Sequence, residues 1–87
     1  MNPMKVMATL NMCTDEMIDN LYGENSIRAF TGYSGSYSPS MDYGIMLTFS
    51  TENNYNIQLM FGQNSSTVKF RHGLSSIWEA WRMFTFT

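Results

Sequence analysis

The chain has 87 residues, of which 44% are hydrophobic and only 14% charged, with five Lys and Arg against seven Asp and Glu. That length fits one domain, and a net charge of −2 excludes a generic nucleic-acid binder, which needs a basic footprint. An aromatic content of 15% supplies enough apolar area to fold, which excludes a disordered tail.

Neutral polar residues fill the place of the missing charge: 10 Ser, 8 Thr and 8 Asn, beside nine Met among the apolar set. A domain this small is marginal as a monomer unless a disulfide, a metal or a second subunit reinforces it. Cys13 is the only cysteine and His72 the only histidine, so one chain makes neither an internal disulfide nor an ordinary His/Cys metal site. Subunit contact is the reinforcement that remains, and no cofactor is expected. The apolar runs are too short to span a membrane, and Met1 to Met7 lacks the apolar stretch of a signal peptide. A lone cysteine fits synthesis in a reducing cytosol.

Residues 1–12 read as a linker or an N-terminal strand, with Lys5 to Leu10 the apolar part. Thr14 is a good helix N-cap, and Asp15 and Glu16 follow where the helix dipole favours negative charge. Met17, Ile18 and Leu21 then give an apolar face to a short helix over 14–22, with Gly23 as its stop. From residue 26 the period becomes two. Ile27 to Tyr33 is a candidate strand, and Ser34 to Ser40 has the Ser, Gly and Pro content of a loop.

The clearest pattern follows. Tyr43, Ile45, Leu47 and Phe49 alternate with Gly44, Met46 and Thr48, and beyond a polar turn Tyr55, Ile57, Leu59 and Phe61 alternate with Asn56, Gln58 and Met60. Matching faces joined by Thr51 to Asn54 predict a hairpin. Thr67 to His72 adds a third strand, with Val68, Phe70 and His72 on one face and Thr67, Lys69 and Arg71 on the other. One face of this meander is apolar and one more polar, the usual division between packed and solvated sides. A last strand, Trp81 to Phe86, carries bulky groups on both faces, as a central strand or one covered by another subunit would. The expected fold is a single mostly-β domain over 1–87: a short N-terminal helix, then an antiparallel meander or sandwich over 26–87.

Enzyme chemistry finds little support. Any catalytic triad would depend on His72, which the strand pattern explains as a partly buried aromatic. Cys13 reads as a small buried hydrophobe, and Asp15, Glu16 and Asp19 as helix-terminal charge. Asp42, Glu52 and Glu79 flank strands without implying the cleft of a glycosidase pair. Three basic residues among aromatics, Lys69, Arg71 and Arg82, are too few for nucleic-acid binding. The single metal option is His72, and only if three copies meet on a threefold axis.

Several ordinary pieces stand in a telling order. Ile18-Asp19-Asn20-Leu21 precedes the Ile27 to Tyr33 strand; Gly44-Ile45-Met46-Leu47, Ile57-Gln58-Leu59 and Val68-Lys69-Phe70-Arg71 follow; Trp78-Glu79-Ala80-Trp81-Arg82 closes the set. This order, from Ile18 to Phe84, resembles the pyocin-knob type of domain near the C-termini of phage and pyocin tail fibres. The chain departs from that pattern in Gly44 to Leu47, one residue longer than the family's Gly-x-Leu, and in the three residues between Gly23 and Ile27.

The resemblance implies a homotrimeric fibre tip on the virion, made in the host cytoplasm, that recognises a host-cell surface glycan or protein without catalysis. Glycans are neutral and rich in hydroxyls, which suits aromatic faces and short amide or hydroxyl side chains. Tyr33, Tyr37, Asp42, Tyr43, Asn53 and Asn54, in or beside loops, are the candidate contacts. Trp78, Trp81 and Arg82 are expected to close the end of the sheet. The rival expectation is a free-standing phage or bacterial protein that inhibits one host protein by binding it, for which a Met-rich surface is suited.

Overall fold

The computed structural model describes residues 3–35, 43–63 and 67–85. Among these, seven strands form one sheet. β1 (Lys5–Val6) runs parallel to β2 (Ser26–Phe30). Beyond β2 the sheet is an antiparallel meander of β3 (Gly44–Ser50), β4 (Tyr55–Gly62) and β5 (Thr67–Leu74). The far edge of β5 is shared: β6 (Ile77–Trp78) pairs with Gly73 and Leu74, and β7 (Arg82–Thr85) with Thr67 to Phe70. The protein is therefore mostly β, as the alternation predicts, and its described residues form a single sheet without the second layer of a sandwich.

The hairpin register sets Ile45 opposite Phe61, Leu47 opposite Leu59 and Phe49 opposite Ile57. Its turn closes through Asn54, whose N–H donates to the Thr51 carbonyl and whose φ of 64° is the left-handed conformation that Asn tolerates. β7 lies at the sheet edge, so the bulky groups of the last strand do not mark a central position.

The helix, α1 (Asp15–Asp19), has five residues, fewer than the stretch over 14–22 that the apolar spacing predicts. Its start is as expected: the Thr14 side chain accepts from the Met17 N–H, and Asp15 and Glu16 occupy the first turn. Its end is set by the sheet below. Leu21 enters the core, and the Gly23 N–H is taken by the Asn56 side-chain oxygen at 3.0 Å. Residues 3–12 belong to the sheet edge through β1 and through a parallel bridge between Leu10 and Phe30. The Arg28 guanidinium fixes this edge by donating to the Ala8 carbonyl and pairing with Glu24 at 2.8 Å.

Burial runs opposite to expectation. The side that α1 and its flanking chain cover is the more polar one. Leu10, Cys13, Ile18, Leu21, Phe30, Tyr33, Met46 and Met60 make the core. Around it Thr48, Ser50, Asn56, Gln58, Lys69 and Arg71 are buried as well. The physical reason is the irregular path of the covering chain, whose backbone groups must find partners once they leave water.

The inner-face side chains supply those partners. Gln58 donates to the Ile18 carbonyl at 3.0 Å. Asn56, besides holding Gly23, donates to the carbonyls of Asn54 and Ser75. Asn25, from the covering chain, both accepts from the Ser50 N–H and donates to its carbonyl. On the opposite face Ile45, Phe49, Tyr55, Ile57, Phe61 and Leu74 are exposed with no layer over them among the described residues, although Val68 is buried at one end of it.

Candidate functional site

At the β5 edge the chain leaves β6, crosses the inner face and enters β7. Gly73 makes the approach close: a Cβ there would strike the backbone of Ile77 and Trp78. The Glu79 N–H donates to the His72 carbonyl at 2.8 Å and anchors the crossing. Trp78 and Trp81 stand at its two ends, and Arg71 of β5 lies beneath. The Arg71 guanidinium carbon is 4.3 Å from the centre of the Trp78 ring and 4.4 Å from that of Trp81. Both distances are well inside cation–π range.

The same guanidinium donates from Nε to the Gln58 side-chain oxygen and from Nη2 to Asp19 Oδ1, each at 2.8 Å. Trp78 completes the arrangement by donating from Nε1 to the Asp19 carbonyl at 3.0 Å. One arginine thus ties the last turn of α1, the middle of β4 and the final crossing together. Charge-assisted hydrogen bonds and two aromatic faces make Arg71 worth its burial, at 3% exposed.

Beside it Lys69, two residues earlier on the same face, is 2% exposed, and its ammonium lies 5.7 Å from the Trp81 ring centre. Burial holds the Lys69 pKa below its ordinary value; Asp15 opposes that shift and the Arg71 charge adds to it. These side chains, with Asp19, Ser76 and Glu79, border a cleft of about 640 Å³. The arginine that the two tryptophans hold is Arg71, whereas Arg82 is exposed at the start of β7.

The four loop candidates among the described residues do not come together. Tyr33 is in the core, where its hydroxyl donates to Asp15 Oδ1 at 2.6 Å and its ring meets Phe30 edge-on at 6.2 Å. Tyr43 is exposed at the start of β3 and borders a separate apolar hollow of about 470 Å³ with Ile45 and Phe61. Asn53 and Asn54 are exposed at the opposite end of β3, which is roughly 20 Å away at the strand rise of about 3.3 Å per residue. Tyr37 and Asp42 lie outside the described residues. Alternation on β5 puts Lys69 and Arg71 on one face, but the partners that make a site of them are Asp19, Trp78 and Trp81, which no local pattern connects to β5.

His72 is exposed on the uncovered face, where Ile57 is its cross-strand neighbour. Among the described residues no three His, Cys, Asp or Glu side chains stand close enough to hold a metal ion, and no helix is long and apolar enough to cross a membrane. Cys13 is fully buried, and burial, with the Asp15 charge as a lesser cause, pushes its thiol up to about 11.

Thiol reagents should consequently leave the native protein unmodified at pH 8 and label one equivalent in denaturant, as mass spectrometry would record. The thiol also makes the fold sensitive to alkali. Between the ordinary value of 9.0 and about 11 the unfolded thiol ionises before the folded one, so stability falls as pH rises through that window. No family model, curated protein or solved structure matches the chain, so the cleft and the uncovered face are read from their own chemistry.

Proposed function

We propose that the chain is the receptor-binding tip or knob domain of a phage-type tail fibre, a non-enzymatic homotrimer on the virion that adheres to a host-cell surface glycan or protein. The observation that carries this reading is the uncovered apolar face of the sheet. Ile45, Phe49, Tyr55, Ile57, Phe61 and Leu74 are each between 38% and 59% exposed. At about 200 Å² for a large side chain in water they present on the order of 600 Å², before half-buried Leu47, Leu59 and Phe70 are added.

A patch of that size is at the upper limit for a soluble monomer and approaches the roughly 800 Å² per partner of a stable interface. Formal charge is nearly absent from the face: in the described parts of β2 to β5 it carries no Asp, Glu, Lys or Arg, and only His72 and Tyr55 as titratable groups. A face without charge meets its own copy without like-charge repulsion. Adhesion through weak sites then gains from repetition, because three sites on one trimer and several trimers on one particle raise avidity with no new contact.

Light scattering on the chain at micromolar concentration is expected to give three times 10.0 kDa, together with adsorption of the labelled protein to host cells. A monomeric mass without adsorption overturns the reading. A monomeric mass with capture of one host protein supports instead the free-standing inhibitor, for which the exposed Met12 and Met83 offer adaptable contacts.

A further inference from the structure

We propose that the cleft between the Trp78–Trp81 crossing and β5 binds a saccharide bearing a single carboxylate, with Lys69 as the seat of that carboxylate. This rests on the adhesion reading only for the source of the ligand, a host-surface glycan.

The charges in the cleft differ in what they still require. Arg71 and Asp19 satisfy one another at 2.8 Å, and Arg71 is further engaged by Gln58 and both tryptophans. Lys69 is different. It borders the same opening while only 2% exposed, and among the described residues no side-chain or backbone acceptor hydrogen-bonds its ammonium. Its ammonium has the Trp81 ring centre at 5.7 Å and the Asp15 charge as favourable neighbours, and it keeps its donors to offer. An anion entering the cleft meets these donors beside the Trp81 ring, where a charge-assisted hydrogen bond is stronger than in bulk water.

The walls define the rest of the ligand. Asp19 and Glu79 border the opening as acceptors, the former 39% exposed at its side chain and the latter exposed. Such carboxylates accept from hydroxyl groups and repel a second negative charge. One cation without a hydrogen-bonded acceptor, bordered by two carboxylates at the opening and facing the Asp15 charge, therefore selects a monoanion with hydroxyls over a phosphate dianion or a nucleic acid. Ser76 adds a hydroxyl at the same opening, and Trp78, Trp81 and Met83 supply apolar surface for the ring.

The molecule carries its own reporter, because Trp78 and Trp81 are the only two tryptophans in the chain and both border the cleft. Intrinsic fluorescence is titrated with glucuronate, glucose, acetate and inorganic phosphate at matched ionic strength. The expected result is a saturable change with glucuronate in the millimolar range usual for a monosaccharide, a response at least roughly tenfold weaker with the other three, and loss of the glucuronate response in Lys69→Met. Methionine matches the stem of lysine without its charge, so this variant is expected to keep the far-UV circular dichroism of the parent. Should it not fold, Glu79→Gln at an exposed position is the second variant, expected to narrow the preference for glucuronate over phosphate several-fold by removing one of the two repelling carboxylates.

Equal responses to glucose and glucuronate overturn the role of Lys69, and equal responses to acetate, phosphate and glucuronate overturn the saccharide. An unchanged response in folded Lys69→Met, or none to any probe, overturns the site. Glucuronate binding without adsorption to host cells leaves the cleft standing and removes the fibre-tip reading; adsorption without any cleft response does the reverse.

Discussion

Replacing Arg71 with methionine is expected to lower the unfolding free energy by about 3 kcal/mol, read from urea denaturation with unchanged m-value. The magnitude follows from what the side chain leaves behind. Gln58, fully buried, loses its 2.8 Å donor, and Asp19 loses its ion-pair partner while keeping a side chain 39% exposed, so water recovers part of that second loss. Trp78 and Trp81 lose the cation that fills the space between them and the sheet. Breaking a fully buried pair costs about 3–5 kcal/mol, and the partial exposure of Asp19 places this case at the lower end.

Against a total stability of about 4–13 kcal/mol for a chain of this size, the loss is severe and corresponds to a fall of roughly 15–20 °C in Tm. Arg71→Lys should recover only a minor part, because an ammonium cannot serve Gln58, Asp19 and two ring faces with one planar group. A double-mutant cycle with Asp19→Asn checks the attribution: a coupling near zero between the two positions removes the ion pair from the account.

That clamp also marks where sequence reasoning ends. The hairpin was legible because alternation is a local property: Ile45, Leu47 and Phe49 share a face, as do Ile57, Leu59 and Phe61, and the structure pairs them residue for residue. Thr14 was legible as a cap for the same reason. Alternation names two faces without naming the one that the rest of the chain will cover. Asn56, Gln58 and Arg71 have the chemistry of solvated residues, yet they are buried because the loosely structured chain above them brings unpaired backbone groups. The helix ends early on the same account, since Gly23 is drawn to Asn56, 33 positions later. Arg71 meets Asp19 across 52 positions, and no periodicity spans that distance. The short pairing of β6 is also set from outside, by the space that Gly73 leaves opposite Trp78.

If the exposed face is the subunit interface proposed above, placing an aspartate at Ile57 is expected to convert the trimer to a 10.0 kDa monomer while leaving the sheet intact. Ile57 lies on the uncovered face, 47% exposed, between Phe49 of β3 and His72 of β5. In an isolated chain its side chain is half in water, so a carboxylate there is solvated and the strand pairing is unchanged. In an assembly that buries this face each subunit would have to desolvate one carboxylate against apolar neighbours, at a cost of about 3 kcal/mol or more per copy. Self-association weakens by more than about 100-fold, enough to move a micromolar oligomer to monomer at working concentration. Light scattering reads the mass, and far-UV circular dichroism checks that the fold persists. Asn53→Ser, exposed in the β3–β4 turn and away from the apolar face, serves as the control and should leave the mass as it was. The sign of the effect separates the two roles this face can have. Were Ile57 part of a monomer's own packing, the aspartate would lower thermal stability at every protein concentration alike. For an interface the parent's Tm rises with concentration and that of Ile57→Asp does not. On the proposed adhesion function, adsorption to cells should fall with the oligomer even though the cleft of Trp78, Trp81 and Lys69 is untouched, because avidity rather than the single site would hold the particle.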